Sequence, residues 1–417
     1  MSGHVVVIGA GVVGLCSALY CAQRGWRVTV VERQPEQRDG CSFGNTGLIV
    51  PSHFVPLAAP GVISQGLKWM RDPGSPFYMK PRASWDLIDW GRKFWRAANV
   101  EHVRRAAPVL RDLSLASREC YEALADTDND FQFARTGVLV LCKTPQALDE
   151  EAEVANHAAA LGLRAEVLDA AATAALDPGV RMDVAGAVHF PQDCNVVPER
   201  LIAGLQRRLS AHGVRFAWNT EAVGWQLDGD RVAAVKLGAE AEIRADAFVL
   251  AAGSWSSELA RGLGLKLPLQ AGKGYSLTLA QPRRSPRICA VLAEARVAVS
   301  PMGGALRFGG TMEMCGLDES VNPIRVRSIV AAVPRYYPDF TPADFDGIRP
   351  WRGLRPCSPD GLPYVGRTSR CANLAIATGH AMLGVTLGPI TGQLVAQVLS
   401  GEQPELDLTL LSPDRYH

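Results

Sequence analysis

The sequence predicts an α/β fold whose parallel sheet is covered on both faces, and three observations predict it. His4 to Ile8 (HVVVI) is a short, β-branched apolar run, the pattern of a buried strand. Gly9, Gly11 and Gly14 follow it and lead into the helical stretch LCSALYCAQRG. Near the other end, Leu374 to Ala377 (LAIA) runs into glycines and a long apolar helix. Strands buried on both faces read as such continuous apolar runs rather than as alternating ones.

Each glycine of the first unit has a distinct task. Gly9 permits the tight turn, Gly11 lets a pyrophosphate approach the backbone, and Gly14 allows close helix–strand packing. The phosphates then sit at the helix N-terminus, beside Val12 and Val13, where unpaired N–H groups and the helix dipole favour negative charge. Gly25 closes the helix, and Trp26 to Val31 (WRVTVV) supplies a second parallel strand ending at Glu32 and Arg33. An acid at that place accepts hydrogen bonds from ribose hydroxyls. Strand, glycines, helix, strand and acid in this order predict a dinucleotide site. A second strand–GxGxxG–helix unit is absent, which disfavours pyridine-nucleotide reductase chemistry.

The remaining segments choose FAD over NAD. Cys41 to His53 (CSFGNTGLIVPSH) lacks regular βαβ spacing; its Ser42, Asn45, Thr46, Gly47 and Leu48 suit a loop wrapped closely around phosphate and ribitol. Ala247 to Ala252 (AFVLAA) is a strand running into Gly253 and Trp255, with small residues where a cofactor touches backbone. Val223 opens a further strand and is placed with this group. The helix after Gly379, through Met382, Leu383, Gly384, Val385 and Thr386, aims its N-terminus at a flavin carbonyl that gains charge on reduction.

GAGVVG with Glu32, SFGNTG, LAAGSWS, ATGHAMLGVTLGP, WRGLRPCSPDGLPYVG and KGYSLT together resemble the D-amino-acid oxidase and dehydrogenase family of flavoproteins, over nearly the whole chain. PSHFVPLAAPG is most similar to bacterial D-hydroxyproline dehydrogenases. The resemblance implies a Rossmann-type FAD-binding domain of residues 1–52, 193–268 and 350–417. It implies a discontinuous, mixed-sheet (α+β) substrate domain of residues 53–192 and 269–349, with helices such as Gln146 to Leu161. Gly353 stands where related oxidases carry a flavin-linking cysteine, and Cys357 does not, so FAD is expected to be non-covalent. No metal site is read.

The implied reaction is hydride transfer from a D-amino acid to the flavin, with cyclic substrates such as D-proline or hydroxy-D-proline favoured. A glycine-, sarcosine- or 2-hydroxy-acid oxidase using oxygen, and a non-catalytic redox subunit, remain alternatives. Arg355 matches the family's carboxylate-binding arginine, whose planar fork suits bidentate binding; Arg352 and Arg349 are the runners-up, and a pairing of Arg355 with Asp360 is the competing reading. Tyr275 lies where the family places a second carboxylate or lid contact. His53, with an unperturbed pKa near 6.5, suits proton handling, or else serves in packing. His380 is read as shaping its loop, and Glu313 as a candidate for the amine. The electron acceptor is left open between quinone, oxygen and a partner subunit.

Composition removes other classes. Forty-three Lys and Arg against forty-two Asp and Glu give no surface for nucleic acid. Ten cysteines contain no CxxC pair; Cys16 and Cys21 lie in one helix and read as buried small residues, consistent with a reducing, cytoplasmic location. Two uncharged stretches, Val5 to Ala22 and Ala372 to Gly401, are too interrupted by glycine and polar residues for a membrane span. Trp69, Trp85, Trp90 and Trp95 lie among Arg and Lys, which fits either lid packing or a peripheral contact on the inner face of the membrane.

Overall fold

The computed structural model describes residues 3–70, 72, 74–82 and 84–416. A six-stranded sheet is drawn from distant parts of the chain, in the order Tyr364–Thr368, Cys371–Thr378, Ala247–Leu250, His4–Ile8, Arg27–Val31, Arg215–Ala217. All neighbours are parallel except the first pair. Val5 lies opposite Ala247 on one side and Val28 on the other, so the opening strand is central. It is buried throughout, as an apolar run without alternation requires.

Helices Val12–Gln23 and Gly384–Leu399 pack on this sheet and against each other. A Cβ at Gly392 would lie 2.5 Å from the backbone carbon of Cys16, and one at Gly388 3.0 Å from Val12, so the two helices meet backbone to backbone. Cys16 and Cys21 are buried there, and all ten cysteines are free. The segment Ala381–Leu399 is long and apolar enough to cross a bilayer, but most of it is buried inside the fold.

A nine-stranded mixed sheet forms the other half. Its order is Trp351–Cys357, Gln270–Leu279, Ala305–Met314, Val297–Met302, Cys289–Leu292, Val138–Cys142, Gly186–Phe190, Glu166–Asp169, with Phe77–Met79 beside Ala305–Met314. One face of its middle strands packs on helix Pro323–Tyr336, through Leu277, Val299, Phe308 and Ile329.

Two features depart from the segment boundaries expected above. Residues 351–357, assigned to the cofactor part, hydrogen-bond into the nine-stranded sheet, with Gly272 opposite Arg355 and Tyr275 opposite Arg352. The long helix Val100–Thr127, assigned to the other part, shares a core with Gly384–Leu399, and the Tyr121 hydroxyl donates to the Val385 carbonyl at 2.6 Å. Apolar runs announce elements but not which sheet completes them. Asp228-Gly229-Asp230 closes a hairpin between Ala222–Asp228 and Arg231–Leu237, with Gly229 at φ 59°.

Candidate active site

Between the two sheets lies a cavity of about 1420 Å³. Pockets for one small ligand run to about 1,000 Å³, so this one has room for a dinucleotide together with a second molecule.

The six-stranded sheet supplies one end. Gly9, at φ 103°, turns the chain so tightly that a Cβ would sit 2.4 Å from the Ala251 carbonyl oxygen. Gly11, Val12 and Val13 then line the cavity, and the Val12 N–H donates to Ser42 Oγ at 3.1 Å. Glu32 is held by two backbone donors, Ala10 N–H at 2.8 Å and Gln34 N–H at 2.9 Å, which fixes its carboxylate on the cavity wall. The Arg33 guanidinium lies 3.6 Å from the Trp255 ring centre. Val223, Ala252 and Gly253 complete this wall.

The loop after Ser42 is set by its own side chains. Asn45 Oδ1 accepts the Gly47 N–H at 2.7 Å, and Thr386 Oγ1 donates to the Leu48 carbonyl at 2.9 Å. Asn45, Thr46 and Leu48 line the cavity, as do Met382, Leu383, Gly384, Val385 and Thr386 at the start of the second core helix. Gly14, Gly47 and Gly379 do not. A Cβ on Gly14 would lie 1.9 Å from the Gly9 carbonyl oxygen, one on Gly47 2.0 Å from that of Val196, and one on Gly379 2.8 Å from the Tyr364 ring. These three glycines shape the wall from behind it.

The nine-stranded sheet supplies the opposite end. The Arg355 guanidinium lies flat over Gly274, whose added Cβ would be 2.2 Å from it, and donates to the Thr311 carbonyl at 2.8 Å. That is its one hydrogen bond among the described residues, and the group faces the cavity. Burial lowers its pKa. Asp360 pairs with Arg415 instead, at 2.7 Å, which removes the competing partner. Arg352 is occupied by Asp39 at 2.6 Å and the Glu319 carbonyl at 3.0 Å, and Arg349 is exposed and off the cavity.

Tyr275 reaches the cavity wall, yet its hydroxyl is engaged: it donates to Glu313 Oε2 at 2.7 Å and accepts the Asn322 N–H at 3.1 Å. Burial and the Glu313 carboxylate push its pKa up. Glu313, read above as a candidate for the amine, faces away from the cavity towards Lys273 at 3.6 Å. His380 gives Thr391 a 2.9 Å contact, and burial holds its pKa down to about 3, so the ring is neutral and structural.

His53 opens onto the cavity. Dense surroundings, then the charge of Arg296, lower its pKa. The neighbouring Ser52 is clamped by buried Asp193, which accepts its hydroxyl at 2.5 Å and its N–H at 3.2 Å. Burial raises the Asp193 pKa to about 7. A carboxyl whose folded pKa is raised adds stability below its unfolded value near 3.9, and that stability is lost as pH rises through about 7. Asp193→Asn is therefore expected to flatten the fall in urea midpoint between pH 4 and about 7; an unchanged profile would remove Asp193 as its source.

An aromatic wall joins the two ends. Trp69, Phe77, Trp90, Phe94 and Trp95 line it; Trp90 is buried, stacks on Phe94 at 5.0 Å and donates to the Cys357 carbonyl at 2.9 Å. Trp85 and Trp95 are 84% and 67% exposed.

Residues 4–398 match the DAO family model, described as FAD dependent oxidoreductase. The chain belongs to this family. A D-amino acid dehydrogenase of Paramagnetospirillum magneticum is 36% identical, aligned over 99% of this chain and 98% of the relative, and one of Bradyrhizobium diazoefficiens is 34% identical over the same shares. Among solved structures, glycine oxidase from Geobacillus kaustophilus superposes with a TM-score of 0.80 at 22% identity, covering 100% of both chains. The L-proline dehydrogenase from P. horikoshii gives 0.76 at 18% identity, covering 100% of this chain and 98% of that one.

This DAO family member is an FAD-dependent oxidoreductase, and its residues fit the cofactor. Gly253, at φ 55°, has open space where a Cβ would stand, so its backbone is open to close approach. Thr311 Oγ1 is buried on the cavity wall without a partner, a polar atom that a ligand would satisfy. Gly353 packs against Trp351, Cys357 is fully buried off the cavity, and burial pushes the Cys41 thiol up to about 11.

Sequence reasoning missed two arginines here. Arg38 lines the cavity, 4.8 Å from the Trp218 ring centre, and donates to the Ala10 carbonyl at 2.5 Å. Buried Arg307 donates to the Phe43 and Asn45 carbonyls at 3.0 and 2.8 Å and pairs with Glu199, pinning the loop of residues 42–48 from behind. Neither occupies a fixed offset from a motif; a lone arginine in the strand ALRFGG was the only signal.

Proposed function

We propose that this enzyme dehydrogenates a D-amino acid, with cyclic substrates such as D-proline or hydroxy-D-proline in its range, and that Arg355 anchors the substrate carboxylate. The observation that carries the proposal is the Arg355 guanidinium, which faces the cavity with a single protein hydrogen bond among the described residues. The D-amino acid dehydrogenases that align along nearly the whole chain support the substrate class.

FAD, held without a covalent link by Gly11, Glu32, the Ser42–Leu48 loop and the Met382–Thr386 turn, would supply hydride acceptance from the α-carbon. Arg355 orients that carbon by binding the carboxylate through its fork. His53, which opens onto the cavity, is assigned to take the ammonium proton on a ring nitrogen. The aromatic wall gives the site an apolar lining. We place the enzyme in the cytoplasm, with a quinone, oxygen or a partner subunit taking the electrons; the exposed indoles of Trp85 and Trp95, on a helix that also carries Arg92 and Arg96, are the surface for a peripheral contact with the inner membrane face.

Anaerobic mixing with paired D- and L-amino acids tests this reading. D-enantiomers, D-proline among them, are expected to bleach the flavin; faster bleaching by the L-forms would overturn the substrate class and leave the flavoprotein assignment standing.

A further inference from the structure

We infer that Gly274 is a positioning residue of the substrate site: its bare backbone and the bulge at Thr311 beside it form a seat that aims the Arg355 guanidinium at the substrate carboxylate. The inference rests on the reading of Arg355 as the carboxylate anchor and deepens it.

The seat follows from sheet register. Arg355 on strand 351–357 lies opposite Gly272, and its side chain crosses to the diagonal neighbour Gly274, a step that long side chains can span between strands. A Cβ on Gly274 would stand 2.2 Å from Nη2, 2.3 Å from Cζ and 2.3 Å from Nη1. Three guanidinium atoms equally far from one point put the plane face-on to the glycine. Any side chain at 274 would displace the whole group.

A second feature of the register fixes the rotation of that plane. Lys273 lies opposite Glu313, but Tyr275 lies opposite Gly310, so strand 305–314 sets two residues, Thr311 and Met312, against Gly274 alone. This is a β-bulge, a device that re-aims groups beside active sites. Met312 donates its N–H to the Pro76 carbonyl at 2.7 Å. Thr311 takes φ 64°, which a β-branched residue rarely adopts and which persists only where the surroundings over-determine it. Its carbonyl receives Nη1 of Arg355 at 2.8 Å. Held face-on at Gly274 and by one edge at Thr311, the guanidinium keeps a single orientation. Among the described residues only that donor is in use, so its other N–H groups stay available to a ligand in a fixed direction.

The test is Gly274→Ala. The atoms nearest the new Cβ all belong to the far end of the Arg355 side chain, so the strand is expected to stay and the guanidinium to move. With the FAD-loaded enzyme, kcat/KM for D-alanine is expected to fall roughly 10- to 150-fold, mainly through KM, as for the loss of one charged hydrogen bond. Propionate, which keeps the carboxylate and lacks the amine, isolates the anchor, and its inhibition constant should rise by a similar factor. The effect runs through Arg355, so in an Arg355→Ala or Arg355→Lys background Gly274→Ala is expected to change kcat/KM by less than about twofold. Unchanged propionate inhibition overturns the seat, as does a loss of activity equally large in all three backgrounds. Loss of FAD both with and without Arg355 also overturns it, because the glycine then serves the fold. An Arg355→Ala enzyme with unchanged KM overturns the anchor and the seat together.

Discussion

Arg355→Ala is expected to lower kcat/KM for a D-amino acid by roughly 30-fold to several thousand-fold, which corresponds to about 2–5 kcal/mol for removing one partner of a buried charge pair. The loss should fall mainly on KM, and FAD content and the flavin spectrum should stay intact, since the guanidinium touches the Thr311 carbonyl and the strand at Gly274 rather than the dinucleotide cradle. Arg355→Lys is expected to recover only part of the activity: an ammonium keeps the charge but cannot lie flat over Gly274 or offer a fork. Asp360→Asn is the informative control. Asp360 holds Arg415, so this variant should lose stability without a rise in KM. A stable Arg355→Ala enzyme with unchanged KM would exclude Arg355 as the anchor.

Glu32→Ala is expected to weaken FAD binding by roughly 10- to 150-fold, the effect of losing one hydrogen bond to a charged group at about 1.5–3 kcal/mol. The same carboxylate braces the phosphate turn through the Ala10 N–H and the next loop through the Gln34 N–H, so its removal also loosens the cradle. Equilibrium dialysis, or fluorescence of released FAD on dilution, would measure the change. Retention equal to wild type would mean that Glu32 serves the turn alone and not the ribose.

The cofactor half was the more legible because its chemistry lives in short local patterns. HVVVI, the three glycines, Glu32 and the SFGNTG loop each announce a backbone conformation, and Gly9 at φ 103° and Gly47 at φ 69° adopt conformations that favour glycine. The same patterns gave Gly14 its helix–strand packing role but did not reveal that Gly47 and Gly379 stand behind the cavity wall, crowded by the Val196 carbonyl and the Tyr364 ring. The substrate half was less legible because it depends on pairings between remote segments. Strand Trp351–Cys357 joins Gln270–Leu279 across about eighty residues of chain, and WRGLRPC carries no mark of that partner. Tyr275 and Glu313 each read as a group for the substrate, and only their placement on adjacent strands shows that they bind each other.

The strand order of the six-stranded sheet also sets a timetable for synthesis. His4–Ile8 pairs early with Arg27–Val31 on one side, but its other side waits for Ala247–Leu250, and that strand in turn waits for Cys371–Thr378. At roughly 5–20 residues per second, the first of these intervals lasts about 12–50 s. For that time a largely apolar strand presents an open edge, a template for pairing with other chains. Yield on expression should therefore respond to translation speed and to chaperones that cover nascent strand edges.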